Sequence, residues 1–211
     1  MMAIGDYTAE ASQFAKTEVD RQPRLQVYRP GEPLVVLGRG SKPEQEVFLE
    51  RCALERVLVV RRRGGGCAVV LDPGVVVVSL CFHAPRWGDH LARFFELSRW
   101  LIDGLGRLGH GGLRQEGISD LAVGDRKVAG ACMLRTRSTV HYSLSLLAEA
   151  DLDRIARLLR HPPREPEYRR GRSHCAFLHN LGSAESLSRQ LADVLHIPDC
   201  VHEEVAHGNA D

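Results

Sequence analysis

Residues 61–74 constrain this chain more than any other stretch. Three arginines run directly into three glycines, and an apolar segment lies on each side. The β-branched run at 57–61 predicts a strand, and Gly64-Gly65-Gly66 predicts the loop that ends it. Bare glycine backbone lets a ligand approach closely and offers it amide hydrogens, while Arg61, Arg62 and Arg63 rim the loop with positive charge. Such a loop suits an anion. Beyond it, 67–71 and 75–82 read as two further strands joined at Asp72-Pro73-Gly74. Proline presets one turn dihedral there and glycine accepts a positive one, so a β-hairpin is predicted.

A second segment answers the first. Gly124-Asp125 separates 121–123 from 126–129 as a two-residue turn of hairpin type. Period-two alternation then puts Lys127 and Ala129 on one face of the strand and Arg126 and Val128 on the other. The Lys127 ammonium would reach the same anion from another direction, which makes phosphate the predicted ligand.

Elsewhere the chain alternates irregularly between short strands and helices. Strands are predicted at 26–28, 34–37 and 139–147, and helices at 8–19, 44–56, 91–108, 152–159 and 186–195. The helix at 91–108 has the clearest periodicity, with Leu91, Phe94, Leu97, Leu101, Leu105 and Leu108 on one side. Pro43 marks the start of the helix at 44–56. Residues 161–173, rich in proline and arginine, read as an exposed loop. Sequence-near hairpins dominate over regular alternation, so the expected class is α+β with a mixed, largely antiparallel sheet. A length of 211 residues, 44% of them apolar, predicts a single domain with a core at about 8–197.

Composition narrows the partners. With 28 basic residues against 27 acidic ones there is no overall field to attract nucleic acid or a membrane surface. The arginine cluster also lacks interleaved aromatic residues for base stacking. The longest apolar runs fall short of the roughly 20 residues of a membrane helix. Six cysteines form no Cys-x-x-Cys pair and follow no leader-like segment, which predicts reduced thiols and a cytoplasmic location. His174, Cys175 and His179 share one loop without a paired partner elsewhere, short of a zinc pattern, so no metal site is predicted.

Arg61 to Val69, followed by Asp72 and Gly74, resembles the arginine-arginine-any-serine-glycine-glycine-glycine-alanine-valine motif of the lipoate-protein ligase and octanoyltransferase family, relatives of biotin-protein ligases. Asp120 with Gly124, Lys127 and Gly130 resembles that family's second motif. Weaker echoes are Leu37-Gly38-Arg39, His141 with Ser143, and the stretch 172–181, so the resemblance covers most of 25–181. It departs at Gly64, Cys67, Leu71 and Val75, where the family has serine, glycine, histidine and asparagine.

The resemblance implies an enzyme that activates lipoate with ATP and magnesium as lipoyl adenylate and passes the acyl group to a carrier lysine. Carriers would be lipoyl domains of 2-oxoacid dehydrogenase complexes or the glycine-cleavage carrier protein. A separate accessory subunit would supply the domain that many bacterial ligases carry after this one. Lys127 would be catalytic, and Arg62, Gly64, Gly65, Gly66, Asp72, Gly74, Asp120, Gly130, His141 and Ser143 would bind substrate and adenylate. Two alternatives stay open. One is an octanoyl or lipoyl transferase working through a thioester on Cys175 or Cys132, and the other is a non-catalytic lipoate-binding relative.

Overall fold

The structure is a computed structural model and describes residues 4–9, 11–85 and 88–201. The first half of the chain comprises β1 (Gly5–Asp6), α1 (Ala11–Asp20), β2 (Arg24–Tyr28), β3 (Leu34–Leu37), α2 (Pro43–Glu46), α3 (Leu49–Leu54), β4 (Leu58–Arg61), β5 (Val69–Leu71) and β6 (Val75–His83). There follow α4 (His90–Arg107), β7 (Leu113–Glu116), β8 (Asp120–Val123), β9 (Arg126–Arg135), β10 (Thr139–Leu147), α5 (Leu152–Leu158), a 3-10 turn at Glu167–Arg169, α6 (His174–Phe177) and α7 (Ala184–Val194). Residue 10, inside the first predicted helix, lies outside the described residues. The class is α+β, as expected. A four-stranded sheet runs β1-β4-β3-β5 and a six-stranded sheet β2-β6-β10-β9-β8-β7. Among the described residues, only the β1–β4 and β3–β4 strand pairs are parallel.

Strand β6 organises both layers. All of its residues are buried, so it reads as a continuous apolar run and its alternation appears only in what each side chain meets. Val76, Val78, Leu80 and Phe82 join a core with Leu97, Leu101 and Leu105 of α4 and Leu187 and Leu191 of α7. Val75 and Val77 join a second core with Val35, Val59 and Val70 of the smaller sheet and Ile155 and Leu158 of α5. Each such side chain contributes on the order of 1.5–3 kcal/mol by leaving water. Among the described residues no helix is long and apolar enough to cross a membrane.

Three local expectations are corrected. Strands β5 and β6 do not form a hairpin: β5 pairs antiparallel with β3, whereas β6 pairs with β2 and β10. Asp72-Pro73-Gly74 is instead a corner that passes the chain from one sheet to the other. At Gly74 a Cβ would stand 2.0 Å from the Glu149 carbonyl oxygen, so only glycine fits that close approach. The Gly74 carbonyl accepts from Glu149 N at 2.8 Å, and Asp72 accepts from the Gly74 and Asp151 amides.

The helix expected at 44–56 is two short ones. Val47 is extended between them and bridges Leu159, while Arg160 N donates to Glu46 O and Phe48 N to Leu158 O. Tertiary pairing of a buried valine wins here over local helix propensity. Finally, the β8–β9 hairpin turns at Gly124-Asp125 as expected, but its register slips by one between Leu121 and Ala122, leaving Val128 as an extra residue. This bulge breaks the simple alternation, and Val128 and Ala129 both enter the same core.

Candidate functional site

A cavity of about 590 Å³ opens between the two sheets. One wall is the glycine loop between β4 and β5. Two of its arginines serve the main chain, and Arg63 lies over the Phe14 ring. Arg61 donates to the carbonyls of Gly38, Arg39 and Ser41, and Arg62 donates to those of Val36, Gly65 and Cys67. The buried Glu46 carboxylate accepts from Ser41 Oγ at 3.0 Å and from Ala68 N at 2.6 Å, and Ser41 Oγ in turn accepts from Gly38 N. Two loops are thus stitched into one shape. Among the described residues, the amides of Gly64, Gly65 and Gly66 donate no hydrogen bond, and Gly66 lines the cavity, so the loop brings an unspent donor beside it.

The facing wall carries Lys127 on β9. Its ammonium lies 2.7 Å from Asp120 Oδ1 on β8, and the second Asp120 oxygen accepts from the Tyr168 hydroxyl at 3.0 Å. Glycine at 130 makes room for this arrangement, since a Cβ there would stand 2.8 Å from Lys127 Nζ. Burial first, then the charge of Asp120, pushes the Tyr168 hydroxyl well above its ordinary value. Tyr168 therefore stays a donor to Asp120, on the carboxylate oxygen away from the lysine.

The third side of the cavity is the stretch expected to be an exposed loop. Residues 162, 164–166 and 169 line it, and Arg169 is only 4% exposed. Arg172 ties this segment down: it donates to Asp125 Oδ2 and O at the hairpin turn and to Tyr168 O. The guanidinium groups of Arg169 and Arg172 both lie over the Phe177 ring of α6, at 5.0 and 5.3 Å. The stretch is mostly exposed, as expected, and departs from that reading at Arg169, which is buried because these contacts give it a ring and a carbonyl to pack against.

Of the residues singled out by sequence, Arg62, Gly66, Asp120, Lys127, Gly130, Ser143 and Cys132 line this one cavity. Gly64 backs onto the Cys132 side chain, and Gly65 accepts from Arg62. Asp72 and Gly74 form the sheet corner, outside the lining. His141 shares a strand face with Ser143 but stands beyond the cavity, with Nε2 3.0 Å from Ser79 Oγ and its ring edge-on to Phe14. Cys175 also lies outside the lining. Its Sγ is 3.6 Å from Leu152 O and from Asp153 Oδ1, and burial, then Asp153, pushes the thiol up, away from a reactive thiolate. His174 does not assist it, since its Nε2 lies 3.0 Å from Arg160 O and burial pushes the ring's pKa down. Sequence reasoning missed Glu46, Tyr168, Arg169 and Arg172. Only Tyr168 left a signal, as a lone aromatic ring in a proline- and arginine-rich stretch.

The model of the lipoyl protein ligase A/B catalytic domain matches residues 2–204. The chain belongs to this family. Solved structures agree in fold. The bipartite lipoate protein ligase of Thermoplasma acidophilum, described together with its E2 lipoyl domain, superposes with a TM-score of 0.69 at 20% identity, over 98% of this chain and 80% of that one. A second T. acidophilum structure, with bound lipoic acid, gives 0.69 at 18% identity over 99% and 81%. A lipoate-protein ligase A bound with ATP gives 0.66 at 20% identity over 94% and 76%.

Proposed function

We propose that this chain, with a catalytic domain at about 8–197, is a lipoate-protein ligase that forms lipoyl adenylate from lipoate and ATP and transfers the lipoyl group to a carrier lysine. One observation carries the reading: the glycine loop and the Lys127 ammonium, far apart in sequence, line the same cavity. In the first step a lipoate carboxylate oxygen attacks the α-phosphorus. A new P–O bond forms, the bond to the β-phosphate breaks, and pyrophosphate leaves. In the second step a carrier amine attacks the acyl carbon, loses a proton, and expels AMP.

The residues suit these charges. An ammonium has three donors, and Asp120 takes one, leaving two for phosphate and acyl oxygens. Across the cavity, the unspent amide of Gly66 would donate to the same anion. Magnesium, if bound, would come with the nucleotide and would offset charge on its phosphates. Family members solved with bound lipoic acid and with ATP, and one described with its lipoyl domain, support the substrate and partner classes. The carriers are the lipoyl domains of 2-oxoacid dehydrogenase complexes or the glycine-cleavage carrier protein.

Intact-mass measurement of a lipoyl domain incubated with the chain, lipoate and ATP, alone and with candidate accessory subunits, tests the reading. The expected product carries one lipoyl group. Failure to lipoylate under every combination, together with absence of lipoate-dependent pyrophosphate exchange, would overturn it. Of the two cysteines of the thioester alternative, Cys132 lines the cavity and Cys175 does not.

A further inference from the structure

The charged groups that line the cavity are unequally satisfied. Lys127 is paired with Asp120, Arg62 donates to carbonyls, and Arg164 is exposed to water. Arg169 differs from all three. It is 4% exposed, it lines the cavity, and its Nη2 is buried with no hydrogen-bond partner. Its other contacts fix the group in place: Nε donates to Arg172 O at 3.0 Å and lies 3.5 Å from Glu165 Oε2, and the guanidinium plane sits over Phe177. Glu165 is itself shared, accepting from Gly171 N through one oxygen and facing His161 through the other. A buried guanidinium nitrogen left without an acceptor costs free energy that an incoming anion recovers.

We propose that Arg169 is an anion-binding residue of the cavity, whose guanidinium completes its hydrogen bonding on an oxyanion of the ligand, either the acyl carboxylate or the nucleotide phosphate. This rests on the ligase reading above for the identity of the ligands and adds a residue to which neither sequence motif points. Burial pushes the guanidinium below its ordinary value, with Glu165 the main opposing influence, and arginine stays protonated throughout. The site therefore holds a permanent positive charge that discriminates charged ligands from neutral twins of the same shape.

Calorimetric titration of the full chain with lipoate against lipoamide, and with AMP against adenosine, tests this and distinguishes carboxylate from phosphate as the source. Wild type should prefer the charged member of at least one pair. Arg169→Met should weaken that charged ligand by about 10- to 100-fold while changing its neutral twin less than about 2-fold. Arg169→Lys should recover part of the loss, since charge returns without the planar fork. Glu165→Gln, which removes the competing carboxylate but keeps an acceptor for Gly171, should bind the charged ligand about 2- to 5-fold tighter. That variant decides the matter if Arg169→Met does not fold. Unchanged preference in Arg169→Met, or no gain in Glu165→Gln, would overturn the role of Arg169 alone. Absence of any preference in wild type would bring down the ligase reading as well.

Discussion

The two walls of the cavity spend their charged groups differently. In the glycine-loop wall, Arg61, Arg62 and Glu46 are consumed by the protein's own carbonyls, hydroxyl and amides, so their charge shapes backbone. In the facing wall, Lys127 keeps donors beyond its contact with Asp120, and beside it, on the third side, Arg169 keeps a bare nitrogen. One wall fixes the form of the site and the other supplies its field. Substitutions should accordingly divide into those that loosen the molecule and those that leave it folded but inactive.

The largest effect expected on this division is Lys127→Ala, which should cut lipoate-dependent pyrophosphate exchange by about 10²–10³ with the unfolding midpoint within about 3 °C of wild type. A loss of only a few-fold would mean that the facing wall does not supply the working charge. Next comes Glu46→Ala, which strands Ser41 and Ala68 N and should cost about 1–3 kcal/mol in urea unfolding. If stability holds and only activity drops, the glycine-loop wall is chemical too and the contrast fails.

Tyr168→Phe removes one acceptor-side contact from Asp120 and should slow exchange by less than about 10-fold, the worth of one hydrogen bond. Because the Tyr168 hydroxyl is pushed upward by burial and Asp120, it titrates above the ordinary value near 10. The shape of the rate profile between about pH 6 and 9 should therefore match wild type, and a new inflection in that window in the variant would show that Tyr168 carries a proton in the reaction. Smallest of all, Cys175→Ser should leave lipoyl transfer unchanged, whereas abolished transfer would reinstate a thioester route.

Much of the frame was readable in the chain because it depends on neighbours in sequence. The strand at Leu58–Arg61, the turn at Gly124-Asp125 and the long helix α4 all follow from local turn chemistry and periodicity. What escaped depends on distant partners. Asp72-Pro73-Gly74 carries the same turn signals whether its flanking strands pair with each other or part, and the choice was made by β3, β2 and β10. Val47 left its helix for Leu159, more than a hundred residues away. In the site, the glycine loop and Lys127 stood out as motifs, whereas Arg169 and Tyr168 looked like any solvated pair until Phe177 and Asp120 were placed beside them.

The corner at Asp72-Pro73-Gly74 is a joint between the two sheets that flank the cavity. Asp72 is 2% exposed, and with Gly74 it is bonded to 148–151 just past the end of β10, so the smaller sheet is fastened to the larger one at a point with no slack. The two sheets are in consequence held together at this corner, where they part only if those bonds break. The side of the cavity that neither sheet provides, at residues 162, 164–166 and 169, carries no such fastening to the corner among the described residues.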